Sequence, residues 1–376
     1  MDFSKILTDL ESEGNLRKLP ESLPGNYIDF TSNDYLGLAS DREQAKEFLN
    51  SLSEYKFSSS ASRLLASSQD SYYSLEALLE KAYGRKILFF NSGYHANTGI
   101  ISAVASDSNC LVVADKLVHA SIIDGIKLSR SEFRRFPHND MKSLQKIIER
   151  NYDSFSDILI VSESIFSMDG DCAPLDKLLE LKEAYPKIML YLDEAHAFGV
   201  KGPKGLGMAQ AYKTPEKWDI IVAPLGKAPA SMGAFVVCSE NIKDFLINRS
   251  RSLIFSTALP PIQIEWTSFI LKKIFEMDKE RLHLEELSIL LSQALERVTG
   301  KGSREFSHIQ PLVIGNPHKT IEISQILYNN GIKSLPIRKP TVPAGTERLR
   351  FSLNANMKGE YINKLENILE CNRNIF

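Results

Sequence analysis

Between residues 86 and 238 short apolar runs alternate with amphipathic segments, and this alternation restricts the fold more than any other feature of the chain. "KILFF" precedes "GYHANTGIISAVA", "CLVVAD" precedes "HASIIDGIKLS", and "EFRRF" precedes "MKSLQKIIER". "ILIVSES" then leads to "PLDKLLELKEAY", and "IMLYLDEA" follows. Strand-length apolar runs separated by helices cannot pair as hairpins; they form a parallel sheet covered on both faces. "DIIVA" and "GAFVVC" are joined by a stretch too short for a helical crossover, which predicts an antiparallel pair added to that sheet. Upstream, helical periodicity at Phe3, Ile6, Leu7 and Leu10 is followed by the strand and turn of "YIDFTSNDYLGL", and "SLEALLEKAYG" reads as a helix closing on Gly84. After "STALPP" the chain is helical through "SILLSQALERV", then gives "IQPLVIG", a helix, "KSLPI", "ERLRFSL" and a last helix at "GEYINKLENILE". The expected organisation is an N-terminal arm (1–40), a large α/β domain (41–260) and a smaller α+β domain (261–376).

Charge and composition narrow the function classes. A net charge of −2 over 376 residues offers no basic surface for nucleic acid or anionic lipid. The apolar runs are too short to span a bilayer, and "MDFSKILTDLESEGNLRKLP" lacks the apolar core of a signal peptide. Cys110, Cys172, Cys238 and Cys371 form no CxxC pair and read as isolated thiols, without a disulfide frame or zinc site. A cytoplasmic protein is expected.

The polar residues that follow the strands carry the chemical signal. Asp193 and His196 in "YLDEAHAFG" stand at a strand's carboxyl end, where open α/β sheets place ligands. "DEAH" also occurs in helicase-type ATPases, but those require a GxxxxGK[ST] phosphate loop, and this sequence has none. In "FFNSGYHANTG", Ser92, Gly93 and Tyr94 open a helix whose N–H groups suit a phosphate; a plain helix cap by Asn91 or Ser92 reads equally well. His119 begins the next helix, and Glu163, Ser167 and Asp169 follow another strand. Lys227, in "APLGKAPA", reads by itself as a residue of a solvated turn. A lysine amine, a carboxylate, a flat imidazole and a phosphate cradle on one sheet rim match the needs of pyridoxal phosphate (PLP). A cofactor-free Schiff-base aldolase needs only a desolvated lysine, but leaves Asp193 and the helix start unexplained.

"SNDYLGL", "HASIIDG", "FSMDGDCAPL", "DEAHAFGV" and "TVPAGTERLR" occur in this order from 32 to 353. On these motifs the chain resembles the α-oxoamine synthases, PLP-dependent transferases of the aspartate-aminotransferase-like fold type I. The resemblance implies a mostly parallel sheet with helices on both faces plus a smaller C-terminal α+β domain. It makes Lys227 the Schiff-base lysine and Asp193 the partner of the pyridine nitrogen, and it stacks His119 on the ring. His196 and Ser167 would bond the phenolic oxygen, and Ser92, Gly93 and Tyr94 would lie near the phosphate. Ser256 or Thr257 of "FSTALPP" would reach the phosphate of a neighbouring subunit in a homodimer with shared active sites. Arg350 would clamp the amino-acid carboxylate, an ion pair with Glu347 being the alternative, and Asn33 and Arg17 would lie near substrate. The motifs favour the branch that joins L-alanine to pimeloyl-CoA or a pimeloyl-carrier protein in biotin synthesis; branches using glycine with acetyl- or succinyl-CoA share the core motifs. Pro224 departs from the family, whose members carry Ser or Thr three residues before the lysine, and "KAPA" replaces a glycine-containing turn. That departure gives the weight there is to a non-catalytic homologue.

Overall fold

The computed structural model describes residues 2–17, 19, 26–66, 69–106, 109–300 and 307–376. In chain order its strands are β1 (Ile28–Asp29), β2 (Lys86–Phe90), β3 (Cys110–Asp115), β4 (Glu132–Phe136), β5 (Asp157–Glu163) and β6 (Ile188–Asp193). They continue with β7 (Ile220–Pro224), β8 (Ala234–Cys238), β9 (Ile309–Val313), β10 (Ile332–Lys333), β11 (Leu335–Ile337) and β12 (Arg348–Ser352).

Two units make up the chain. The larger, residues 36–166 and 172–281, contains a seven-stranded sheet of order β2-β8-β7-β6-β5-β3-β4. The pairs from β7 through β4 are parallel, and β8 runs antiparallel to both β7 and β2. Every residue of β3 is buried, as is nearly every residue of β5 and β6. Burial on both pleat faces explains why these strands appear in the sequence as unbroken apolar runs. β4, at the sheet edge, exposes Glu132, Phe133, Arg134 and Arg135, a charged border that discourages further strand pairing. Because the parallel strands share one direction, their carboxyl ends form one rim. The β7–β8 connection, which carries Lys227, returns at that rim.

The helix Asp70–Tyr83 ends on Gly84 at φ 67°, the left-handed cap that glycine adopts without strain. Residues 261–281 belong to the larger unit, because the helix Pro261–Ile274 packs against Asp70–Tyr83. The division therefore falls near residue 281, against the sequence-based expectation of 260.

The smaller unit comprises residues 1–35, 167–171 and 282–376. Its three-stranded antiparallel sheet runs β11-β12-β9, and β1 pairs in parallel with β10. The N-terminal arm is part of this unit: Ser352 N–H donates to Phe30 O (2.8 Å), and Arg338 bonds the Gly14 carbonyl. Among the described residues no helix is long and apolar enough to cross a membrane.

Candidate active site

The rim of the large sheet surrounds a cavity of about 190 Å³. Six sequence-predicted residues line it: Gly93, Tyr94, His119, Asp193, His196 and Lys227. Lys227 Nζ lies 2.9 Å from His196 Nε2. An ammonium has no lone pair, so this contact requires at least one of the two nitrogens to be unprotonated. Lys227 sits in a tight turn: Leu225 N–H donates to Gly233 O, and Ala230 N–H donates to Lys227 O, both at 2.9 Å. Ala230 adopts φ 49°, where an L-residue pays about 1–2 kcal/mol. Ala230 is the last residue of the "KAPA" turn, which stands in place of the glycine-containing turn that the resemblance implies.

Asp193, the last residue of β6, is 3% exposed. Its Oδ1 accepts from Ala195 N–H (2.9 Å) and its Oδ2 from Asn97 Nδ2 (2.8 Å). Asn97 also donates to Ser121 Oγ (2.9 Å), and its Oδ1 accepts from the Tyr191 hydroxyl (2.5 Å). This polar network holds both carboxylate oxygens of Asp193 in place through N–H donors. Sequence reasoning missed Asn97. Its available signal was a buried amide one turn into a helix whose interior otherwise favours better helix formers.

His119 caps the helix Ala120–Ser129: its Nδ1 accepts from Ser121 N–H (3.2 Å) and meets Ser121 Oγ at 2.7 Å. The imidazole pKa is lowered, chiefly because surrounding protein removes water from the ring; Asp193 opposes this and Lys227 adds to it. Glu163 Oε1 accepts the His119 backbone N–H at 2.6 Å. Glu163 also lines the cavity, and burial, reinforced by Asp193, pushes its pKa up to about 8.

At the far side, the helix Gly93–Ser106 begins against Pro224. A Cβ built on Gly93 would meet Pro224 Cγ at 2.7 Å, so only glycine fits this approach. Ser92 precedes Gly93 and is not among the cavity's lining residues; its hydroxyl caps the helix through His95 N–H (3.1 Å) and touches His95 Nδ1 (2.8 Å). Tyr94 OH donates to Asp124 Oδ2 (2.7 Å). Thr257 is tied by its carbonyl to Asn91 Nδ2 (2.6 Å) and by a bridge to Ser62, and the preceding residues Phe255 and Ser256 run beside it. Ser256 and Thr257 are not among the cavity's lining residues.

The remaining predicted residues lie in the smaller unit. Arg350 is 4% exposed, and its guanidinium donates to Ser167 O (2.6 Å), Ser352 Oγ (2.8 Å), Asn33 Oδ1 (3.0 and 3.1 Å) and Tyr35 OH (3.3 Å). Every one of these acceptors is neutral; burial holds the Tyr35 phenol at about 12, against the pull of Arg350. Among the described residues no carboxylate pairs with Arg350, and Glu347 instead accepts Gly345 N–H (3.0 Å). A buried cation surrounded by neutral acceptors is a ready site for an anion. Ser167 enters this group through its carbonyl. Arg17 bonds Thr341 Oγ1 (2.7 Å).

A lysine amine, a buried carboxylate, an imidazole and a helix N-terminus narrowed by Gly93 fit PLP in chemistry and placement. Residues 25–369 match the family model described as aminotransferase class I and II. The chain is 45% identical to 8-amino-7-oxononanoate synthase of Haemophilus ducreyi over 381 residues, covering 96% of this chain and 98% of that protein. Among solved structures it resembles 8-amino-7-oxononanoate synthase from Francisella tularensis (TM-score 0.79, 32% identity, covering 92% of this chain and 97% of that one). It also resembles serine palmitoyltransferase from S. paucimobilis, solved with PLP bound (TM-score 0.89, 25% identity, covering 99% and 97%).

Proposed function

The chain belongs to the aminotransferase class I and II family, and from that premise we propose that it is a PLP-dependent acyltransferase that condenses L-alanine with a pimeloyl thioester. The products are 8-amino-7-oxononanoate, carbon dioxide and the free thiol, a step of biotin biosynthesis. The observation that carries this reading is full-length similarity to 8-amino-7-oxononanoate synthases, combined with Lys227, Asp193 and His119 around one cavity.

When bound, PLP supplies an aldehyde and an electron-accepting ring that stabilises negative charge at the α-carbon of the amino acid. Lys227 would supply the amine that anchors the cofactor, and its Nζ, when free, would be the base placed to take the α-proton of the amino acid. His196 Nε2, 2.9 Å away, holds that nitrogen in place and shares its proton. Asp193, fixed by Asn97 and Ala195, would hold the pyridine nitrogen and favour its protonated form. His119 would pack on the ring, and its lowered pKa favours the uncharged imidazole there. The N–H groups opening the helix Gly93–Ser106 receive the phosphate; Pro224 offers that phosphate neither a hydroxyl nor an N–H. Arg350 holds the alanine carboxylate, for which its neutral surroundings leave the positive charge uncompensated. Asn33 helps position that guanidinium, and Arg17 would lie near substrate.

A homodimer completes the reading. Phe255 (72% exposed) and Leu65 (80%) are large apolar side chains near the Thr257 bridge to Ser62, and a second copy would cover them while Ser256 or Thr257 reached its phosphate. A cytoplasmic location accords with this chemistry. With PLP added, L-alanine should shift the visible absorbance of the protein and glycine should not. An equal or stronger response to glycine would assign the chain to the glycine-using branch.

A further inference from the structure

We propose that Glu163 works as a neutral carboxylic acid, a positioning residue that leaves the negative charge of the rim on Asp193 and holds the His119 backbone; this rests on reading the cavity as the PLP site. The β5–β6 register sets Glu163 directly opposite Asp193, and the two are 2% and 3% exposed. Register partners on adjacent strands lie on the same sheet face about 5 Å apart. Two carboxylates so close and so dry do not both ionise.

The hydrogen bonds decide which one keeps the proton. Asp193 accepts two N–H donors, from Asn97 and Ala195, whereas Glu163 accepts one, from His119. Donors favour an anionic acceptor, so the carboxyl with fewer donors, Glu163, is the one that keeps the proton. The other charged groups facing Glu163 are Asp115 at the end of β3, which adds repulsion, and Lys227, which offsets part of it. A neutral Glu163 satisfies the His119 N–H through one oxygen and leaves a hydroxyl among the cavity's groups. If it ionised, its charge would compete with Asp193 for the pyridinium and pull a proton onto His119.

The consequence for stability has a definite sign. Glu163 holds its proton in the folded chain up to about pH 8, while the unfolded chain releases it near 4.5. Its contribution therefore falls as pH rises between these values and is level above about 8.

The test compares full-length wild-type protein with E163Q and E163A. At pH 7 the infrared spectrum of the wild type should contain a carboxylic-acid C=O band that E163Q lacks and that bleaches above about pH 8. In PLP titrations followed by absorbance, E163Q should bind within about twofold of wild type, and E163A about tenfold more weakly, because it leaves the His119 N–H unpaired. E163Q should also lose the stability decline between pH 5 and 8. The proposal is overturned if the band is missing, or if E163Q loses as much PLP affinity as E163A. If wild-type protein fails to bind PLP at all, the cofactor reading falls, and the infrared band still decides the protonation of Glu163.

Discussion

Lys227 Nζ and His196 Nε2 stand 2.9 Å apart, joining the turn between β7 and β8 to the segment that follows β6. The contact places a nucleophilic amine within proton-exchange distance of an imidazole on the rim where Asp193 ends its strand. Lys227→Ala should abolish the yellow colour that PLP gives the wild-type protein and lower turnover by at least about 10²–10⁴-fold, the range a lost general base accounts for. Absorbance after gel filtration checks the first and product formation the second; a variant that stays yellow would refute the assignment.

Asn97 is coupled to Asp193 through one hydrogen bond and to Ser121 and Tyr191 through two more. Asn97→Ala should weaken PLP binding by about tenfold, the worth of a hydrogen bond to a charged group. Asp193→Asn should bind PLP yet lose most turnover, since an amide cannot keep the pyridine nitrogen charged. Equilibrium titration and a steady-state assay separate the two effects.

Gly93 and Pro224 form a contact with no room for a Cβ. Gly93→Ala should cost about 1–3 kcal/mol of stability by overpacking and should weaken PLP binding. Pro224→Ala in the same chain should recover part of that loss. A double-mutant cycle in thermal unfolding should then show coupling well above about 0.5 kcal/mol; additive losses would mean the two residues are not packed as described.

Arg350 differs from an ordinary buried arginine in having only neutral acceptors. Arg350→Lys, which cannot engage a carboxylate in two parallel bonds, should raise KM for the amino acid more than it lowers kcat, with little change for the thioester. Steady-state kinetics with each substrate varied in turn would show this.

His119 has an imidazole pKa lowered from its ordinary 6.5, so on acidification the unfolded chain takes up its proton first. Stability should therefore fall as pH drops from about 6.5 through that lowered value. His119→Asn keeps a capping side chain and removes the titration. The unfolding temperature of this variant relative to wild type should rise as pH is lowered from about 7 to 5.

β3, β5, β6 and β7 were legible because burial on both faces removes the polar alternation that would otherwise blur a strand. Lys227, Asp193, His119 and His196 were legible because each follows a strand at one rim. Strand order was not: β2 pairs with β8, far away in the chain, and no local pattern encodes that choice. The position of residues 261–281 depended on the contact between two helices. Asn97 was hidden inside a helix, and the contest between Glu347 and neutral partners for Arg350 could be settled only in three dimensions. Pro224 stood out as a departure, but its packing on Gly93 is a distance no sequence carries.

The most direct test of the central claim is product analysis by mass spectrometry after incubating the PLP-loaded protein with L-alanine and a pimeloyl thioester, with glycine in parallel. The account predicts 8-amino-7-oxononanoate with one carbon dioxide and one thiol released per product, and at most traces from glycine. Preferential turnover of glycine, or no product from alanine by a yellow, folded protein, would contradict it.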